Sequence, residues 1–424
     1  METENNIPEN KSPKAKERFA GLLLFLSIVG PGIITAIVDN DAGGITTYSL
    51  AGSNFGYLLL WTMIPMLILL IIVQEMSSRL AVVTGKGLGD LIRENFSIRT
   101  TFFIMLMLVI VNAANTITEF AGIAAASEIF GISRYIALPV AAFLVWWLVL
   151  KGNYKSVEKI FLTACVFYIA YFIAGFLANP SWDLVAKNIV TPSLKFDKGY
   201  LIMIIAIIGT TIAPWMQFYM QASIVEKGIK KSEYIYTKID VIAGCFVSIL
   251  IAFFIVVTTA ATIHNAGTKI ETASDAARAL LPLAGKYAEY LFAFGLLSAS
   301  LFAASILPLS TAYSVSEAFG WELGVNRKFR EAKKFYLLYT AMILLGMFFV
   351  FIPNISLVFL MYFSQVLNGI LLPFIIIFML KLINKHELMG SYKNSGIYNV
   401  IAWAAAIIII GVTVLSLLTA FIKI

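Results

Sequence analysis

Cysteine and histidine are nearly missing from this chain, and charge is thin. Of its 424 residues two are cysteine and two are histidine, and Asp, Glu, Lys and Arg together make up 13%. Cys165 and Cys245 both fall in apolar stretches, which excludes a disulfide framework and a thiolate metal cluster. His264 and His386 fall between apolar stretches without a second ligand at helical spacing, so both are expected to be solvated. With so little charge, 60% hydrophobic residues and a mean hydropathy of +0.88, the chain cannot be a soluble globular domain.

What is present in abundance is apolar sequence in lengths that cross a bilayer. At about 20 residues per span, the pattern predicts an all-α integral membrane protein with about eleven transmembrane segments. They lie near 20–48, 56–81, 101–130, 134–150, 157–178, 199–224, 239–263, 286–316, 335–352, 355–380 and 396–421. The polar stretch METENNIPENKSPKAKER, residues 1–18, reads as a cytoplasmic tail, without the apolar region and cleavage site of a removed signal peptide. With that tail inside, 23 of the 31 Lys and Arg fall in cytoplasmic segments and 8 outside. This asymmetry predicts a multi-pass cell-membrane protein with a cytoplasmic N-terminus and an extracellular C-terminus. The net charge of +7 is then the decoration of loops near anionic lipid and requires no nucleic-acid partner. Two longer polar connections, 179–198 and 264–285, read as outer loops, the second with a short amphipathic helical pattern.

Against this background two carboxylates stand out. Asp39 and Asp41 lie within the first apolar segment, in Ile37-Val38-Asp39-Asn40-Asp41-Ala42-Gly43-Gly44. A carboxylate at membrane depth costs several kcal/mol unless a cation, a partner or water meets it. The paired glycines weaken the helix where backbone groups would face a ligand. The stretch therefore predicts a cation site in an interrupted helix, and a transport function. A second interruption is expected in the sixth segment, where Gly209-Thr210-Thr211-Ile212-Ala213-Pro214-Trp215 carries a proline that frees a carbonyl one turn earlier.

Matching breaks in the first and sixth segments fit two five-span halves of opposite topology, 19–178 and 199–380, followed by an additional helix at 396–421. The expected site gathers Asp39, Asn40 and Asp41 with the carbonyls around Thr210 and Ala213. Gln365, with Ser364 and Asn368 nearby in the tenth segment, is a third polar element, either ligand or interhelical glue. Glu119, in Asn115-Thr116-Ile117-Thr118-Glu119-Phe120, either lines the ion path or pairs with a buried polar neighbour. Glu75, Arg79 and Glu128 lie nearer span ends and are expected to be structural. Carboxylate, amide and carbonyl oxygens are hard ligands suited to Mg²⁺, Ca²⁺ or Mn²⁺. The ion is cargo, and no cofactor is expected.

The same residues carry a resemblance. GPGIITAIVDNDAGG from Gly30, RLAVVTGKGLGDLI ending at Ile92, TEFAG at 118–122, IIGTTIAP at 207–214 and FSQVLNGILLPF at 363–374 resemble the NRAMP divalent-metal transporters, whose fold is similar to the LeuT-type 5+5 inverted repeat with broken helices 1 and 6. The resemblance implies that Asp41 is the metal-binding aspartate and Gln365 the glutamine of Ser-Gln-Val. It also marks departures. Gly44 stands where the family has a metal-binding asparagine, Ala213 where it has a methionine and Trp215 where it has a histidine. Asp39 is an added acid, and Thr116 replaces an aspartate of proton-coupled members. This pattern is similar to the prokaryotic NRAMP-related magnesium transporters, which implies import of partly hydrated Mg²⁺, with Mn²⁺ accepted and no proton coupling. The rivals are a proton-coupled Mn²⁺/Fe²⁺ transporter and an amino-acid or amine symporter of the same architecture. A channel fits the paired breaks less well. An intramembrane hydrolase would need facing carboxylates, which two acids on one helix do not supply.

Overall fold

The computed structural model describes residues 30–151 and 168–421. The tail 1–18, the start of the first apolar segment, Cys165, Lys155 and Lys159 lie outside the described residues.

The chain is helical throughout the described residues, and its helix ends follow the sequence chemistry. Two short helices, α1 (Pro31–Val38) and α2 (Ala42–Phe55), are separated by Asp39, Asn40 and Asp41. α3 (Met63–Thr84) stops at Gly85, which takes the left-handed conformation that a residue with a Cβ resists. A short α4 (Leu88–Asn95) precedes α5 (Ile98–Ile129), whose first turn is capped by Ser97, its hydroxyl accepting from Thr100 N at 3.2 Å. Then come α6 (Arg134–Lys151), α7 (Ile169–Leu177) and α8 (Trp182–Val190). α9 (Lys198–Thr211), capped by Asp197, and α10 (Pro214–Lys227) are separated by Ile212 and Ala213. The rest of the chain forms α11 (Tyr234–Thr259), α12 (Ala288–Phe319), α13 (Lys333–Val350), α14 (Leu357–Ile383) and α15 (Gly396–Phe421).

Nine helical runs among the described residues are long and apolar enough to span a membrane, and a tenth if α7 and α8, bent by 118°, are one span. The first broken helix adds to these: α2 carries the first segment to Phe55, past its expected end near 48. The connection 179–198, expected as a plain loop, holds α8, seated through the buried Val185. The connection after α11 holds several short turns, including Ala273–Ala277 capped by Thr272. The second agrees with the short amphipathic pattern expected there, whereas α8 escaped a hydropathy reading because it is amphipathic rather than apolar.

Burial orders the bundle. The α9–α10 run is 94% buried within the protein, whereas α6 and α15 are 28% and 22% buried and present most of their surface outward. The broadest helix pairings are α5 with α12, α9 with α14, α5 with α14, and α11 with α1. At the face richer in basic residues, Glu75 and Arg79 of α3 pair at 3.1 Å. Tyr398 Oη donates to Glu75 at 2.7 Å, the Tyr234 hydroxyl also reaches Glu75, and Arg79 donates to the Tyr392 carbonyl at 2.9 Å. These two ions hold the ends of α3, α11 and α15 together, the structural part expected of them.

Candidate metal site at the two helix breaks

The first break is shaped by its own acids. Asp41 adopts an extended conformation and caps α2, its Oδ1 accepting from Gly44 N at 2.8 Å. This separates α1 from α2 and starts the helix afresh. The positive end of α2 then faces the carboxylate that caps it. The second break has a different cause. Pro214 opens α10 and has no N–H to give the Thr210 carbonyl, so α9 cannot continue.

Absent side chains bring the two breaks together. A Cβ on Gly44 would lie 2.6 Å from the Asp39 carbonyl oxygen and 3.4 Å from Thr210 Oγ1. A Cβ on Gly43 would lie 1.9 Å from Gln365 Nε2 and 3.2 Å from Asp41 Oδ1. Each glycine thus lets the first break and a neighbouring helix close in, Gln365 of α14 at Gly43 and Thr210 of α9 near Gly44. Asp39 Oδ2, Thr210 Oγ1, Thr47 Oγ1 and Asn40 Oδ1 are all buried without a hydrogen-bond partner among the described residues. Buried polar atoms are ordinarily satisfied, so this group is equipped for a cation or water.

The remaining expected residues divide. Glu119 lies against this group: its Oε2 accepts from Ala42 N at 3.4 Å, and its carboxyl adjoins that of Asp41. Two buried carboxyls in contact require a proton or a cation between them. Gln365 is fully engaged, Nε2 donating to Ser364 Oγ at 3.0 Å and Oε1 accepting from Asn368 Nδ2 at 2.8 Å. Asn368 in turn forms a reciprocal amide pair with Asn115 at 2.9 and 3.0 Å, which ties α14 to α5. Asn40 turns away: its Nδ2 donates to Ser248 Oγ on α11 at 3.0 Å, and its carbonyl accepts from the Tyr168 hydroxyl. The Ala213 carbonyl is taken up by the first turn of α10, accepting from Met216 N at 3.1 Å. It also accepts from the Gln217 amide at 2.9 Å when that amide is oriented to satisfy both its atoms. Sequence reasoning did not single out Ser248, Tyr168 or Thr47. Single hydroxyls in apolar helices carry no signal until the fold places them.

No group of three His, Cys, Asp or Glu side chains converges to hold a metal among the described residues. Any ion here would rest on two carboxylates with hydroxyl, amide, carbonyl or water oxygens. Trp215, where the resemblance would place histidine, is buried, and its carbonyl accepts from Ser310 Oγ at 3.0 Å. Thr116 bonds back to Asn112 of its own helix at 2.8 Å. His264, expected to be solvated, is exposed, yet its Nδ1 lies 2.7 Å from the Ser53 carbonyl at the end of α2.

Asp39, Asp41, Glu119 and Gln365 are each at most 5% exposed, so the site is sealed from both faces. A cavity of about 850 Å³ opens on the less basic face, reaching Leu50, Ala125 and Tyr362. At 1.5 Å per residue, these stand about 13, 9 and 4 Å along their helices from Asp41, Glu119 and Gln365. A smaller cavity of about 250 Å³ on the basic face is lined by Glu226, Tyr313 and Glu317.

Residues 32–419 match the family described as natural resistance-associated macrophage protein-like, Nramp. The chain belongs to the Nramp family. Among its relatives, the divalent metal cation transporter MntH of Deinococcus radiodurans is 27% identical over 92% of this chain and 89% of its own length. The protein of the same name from Klebsiella pneumoniae is 28% identical over 69% of this chain and 71% of its own. The manganese transporter of Eremococcus coleocola superposes with a TM-score of 0.79 at 22% identity, covering 97% of this chain and 88% of that one. The nucleobase-cation-symport-1 transporter Mhp1 superposes with a TM-score of 0.58 at 14% identity, over 92% and 91% of the two chains. This Nramp protein has the LeuT-like fold of these neighbours and is a multi-pass membrane protein rather than an enzyme.

Proposed function

We propose that this Nramp protein is a secondary transporter that imports divalent cations by alternating access, with Mg²⁺ as its principal ion and Mn²⁺ also accepted. The names of its relatives support a divalent metal as cargo. They refer to divalent metal or to manganese, so the choice of Mg²⁺ rests on the site itself. The observation that carries it is the hard donor set beside Gly43 and Gly44, where the Asp39 carbonyl, the Asp41 carboxylate, the Thr210 hydroxyl and the Gln365 amide close in, with Asp39 Oδ2 and Thr210 Oγ1 buried and unpartnered. Soft sulfur favours transition metals, and its replacement by Ala213 leaves hard ligands only. Mg²⁺ sheds water reluctantly and usually keeps several waters. Unpartnered oxygens of Asp39, Thr210 and Thr47 suit a hydrated ion better than a stripped one.

In this reading Asp39 and Asp41 carry the charge that balances the ion. Gln365 reaches it by exchanging its bonds to Ser364 and Asn368. The second break contributes Thr210 and its freed carbonyl, and Asn40 stays tied to Ser248. The protein sits in the cell membrane with its basic face in the cytoplasm. An inside-negative potential supplies about 2.3 kcal/mol per charge per 100 mV, hence about twice that for a divalent ion. No proton is needed.

A second reading, proton-coupled Mn²⁺ transport, is favoured by the relatives' names and by Glu119 beside Asp41. Proteoliposomes enclosing a pH-sensitive dye separate the two. Mg²⁺ uptake at constant internal pH supports the first. Acidification that tracks Mn²⁺ entry, with no Mg²⁺ entry, overturns it in favour of the second.

A further inference from the structure

A helix interrupted for three residues has no hydrogen-bond ladder to set the angle between its halves, so something outside it must. Both halves of the first broken helix lie along one unbroken neighbour, α11. At the start of α1 the buried Asp240 carboxylate accepts from Gly30 N at 3.3 Å, Gly32 N at 2.7 Å and Ile33 N at 3.3 Å. Those are the N–H groups that an α-helix start leaves without partners. About 12 Å further along α11, Ser248 Oγ accepts from the Asn40 side chain at 3.0 Å, at the break itself. Beyond it, the end of α2 meets the π-helical turn Ala260–His264 that continues α11: the Ser53 carbonyl lies 2.7 Å from His264 Nδ1.

Between these three points the backbones touch. A Cβ on Gly244 would lie 2.7 Å from the Gly32 carbonyl oxygen, and a Cβ on Gly52 would lie 2.5 Å from the Val256 carbonyl oxygen. Each half of the broken helix therefore has a glycine-mediated contact with α11 and a polar tie at its outer end, and the break has a tie of its own.

We propose that α11 splints the broken first helix, and that Ser248 is a positioning residue that aims the Asp39–Asp41 turn. The second part rests on the reading of those acids as cation ligands. Asn40 lies between them in sequence, so holding its amide at Ser248 fixes the direction of the residues on both sides. Asp39 and Asp41 then keep their places beside Gly44 and Gly43, where Thr210 and Gln365 close in, without a strong ligand having to order them.

Two measurements on the purified full-length chain test this. The first is the distance between spin labels at the exposed Asn54 on α2 and Val247 on α11, with and without Mg²⁺. The splint predicts one narrow distribution in both conditions, broadened in Ser248→Ala. A broad distribution in the parent, or one that shifts with Mg²⁺, overturns it whatever the protein transports. The second is Mn²⁺ affinity, read from the free ion. Ser248→Ala should weaken binding roughly 10-fold, as loss of a ligand-orienting contact does, and Ser248→Thr should retain most of it. Asn40→Ala combined with Ser248→Ala should be no weaker than Asn40→Ala alone. Additive losses, or wild-type affinity in Ser248→Ala, overturn the positioning role. Absence of any Mn²⁺ or Mg²⁺ binding by the parent would instead overturn the cation reading, and the distance measurement would still decide the splint.

Discussion

The two helix breaks face each other but are built from opposite materials. The first consists of Asp39, Asn40 and Asp41 and is polar along its whole length. The second consists of Ile212 and Ala213, bounded by Pro214 and Trp215, and has no charged side chain. In the first, a carboxylate turns the chain by capping the next helix; in the second, a missing N–H does the same. One break therefore brings charge and the other brings shape, a hydroxyl and a bare carbonyl. A site assembled this way can change its metal preference through the second break while leaving the first, which balances the charge, intact.

Predictions that sharpen this contrast fall in order of size. Asp41→Ala removes both charge and cap from the first break. Loss of one member of a buried charged set costs about 3–5 kcal/mol, so metal uptake in liposomes should fall by more than about 100-fold. Uptake near the wild-type rate would show that the charge lies elsewhere. Gly209→Val probes the packing beside the second break, because a Cβ there would lie 2.0 Å from the Gln365 carbonyl oxygen and 2.3 Å from Gly369 N. Backbone cannot yield as a side chain does, and overpacking costs about 1–3 kcal/mol or more. The thermal midpoint in detergent should drop, with uptake falling alongside it. Ala213→Met restores a thioether without altering charge. It should move the preference toward Mn²⁺ and Cd²⁺ over Mg²⁺ by about 10-fold in competition assays, about 1.4 kcal/mol, with total capacity little changed. An unchanged order of preference would mean that the second break does not set selectivity.

The unequal breaks also explain what could be read from the sequence. The spans were legible because bilayer length and hydropathy are local properties. Both breaks were legible because acids at membrane depth and a proline one turn after a polar stretch carry a local cost. The family resemblance sharpened the same residues. Illegible were the contacts made across the fold. Asn40 reads as a ligand beside its two acidic neighbours, yet its amide nitrogen is committed to Ser248, 208 residues away. The Ala213 carbonyl reads as free beside a proline, yet the start of α10 folds Met216 back onto it. Asp240 drew no notice in the sequence, and only the fold shows it capping α1. Pattern locates a costly group; where its partners come from is decided by which helices pack.

The most direct test is to place the ion. In crystals grown with Mn²⁺, a single strong anomalous peak is expected beside Gly43 and Gly44, among Asp39, Asp41, Thr210 and Gln365, and competed away by excess Mg²⁺. A peak elsewhere in the bundle, or one at this place that Mg²⁺ does not displace, would contradict the proposed site.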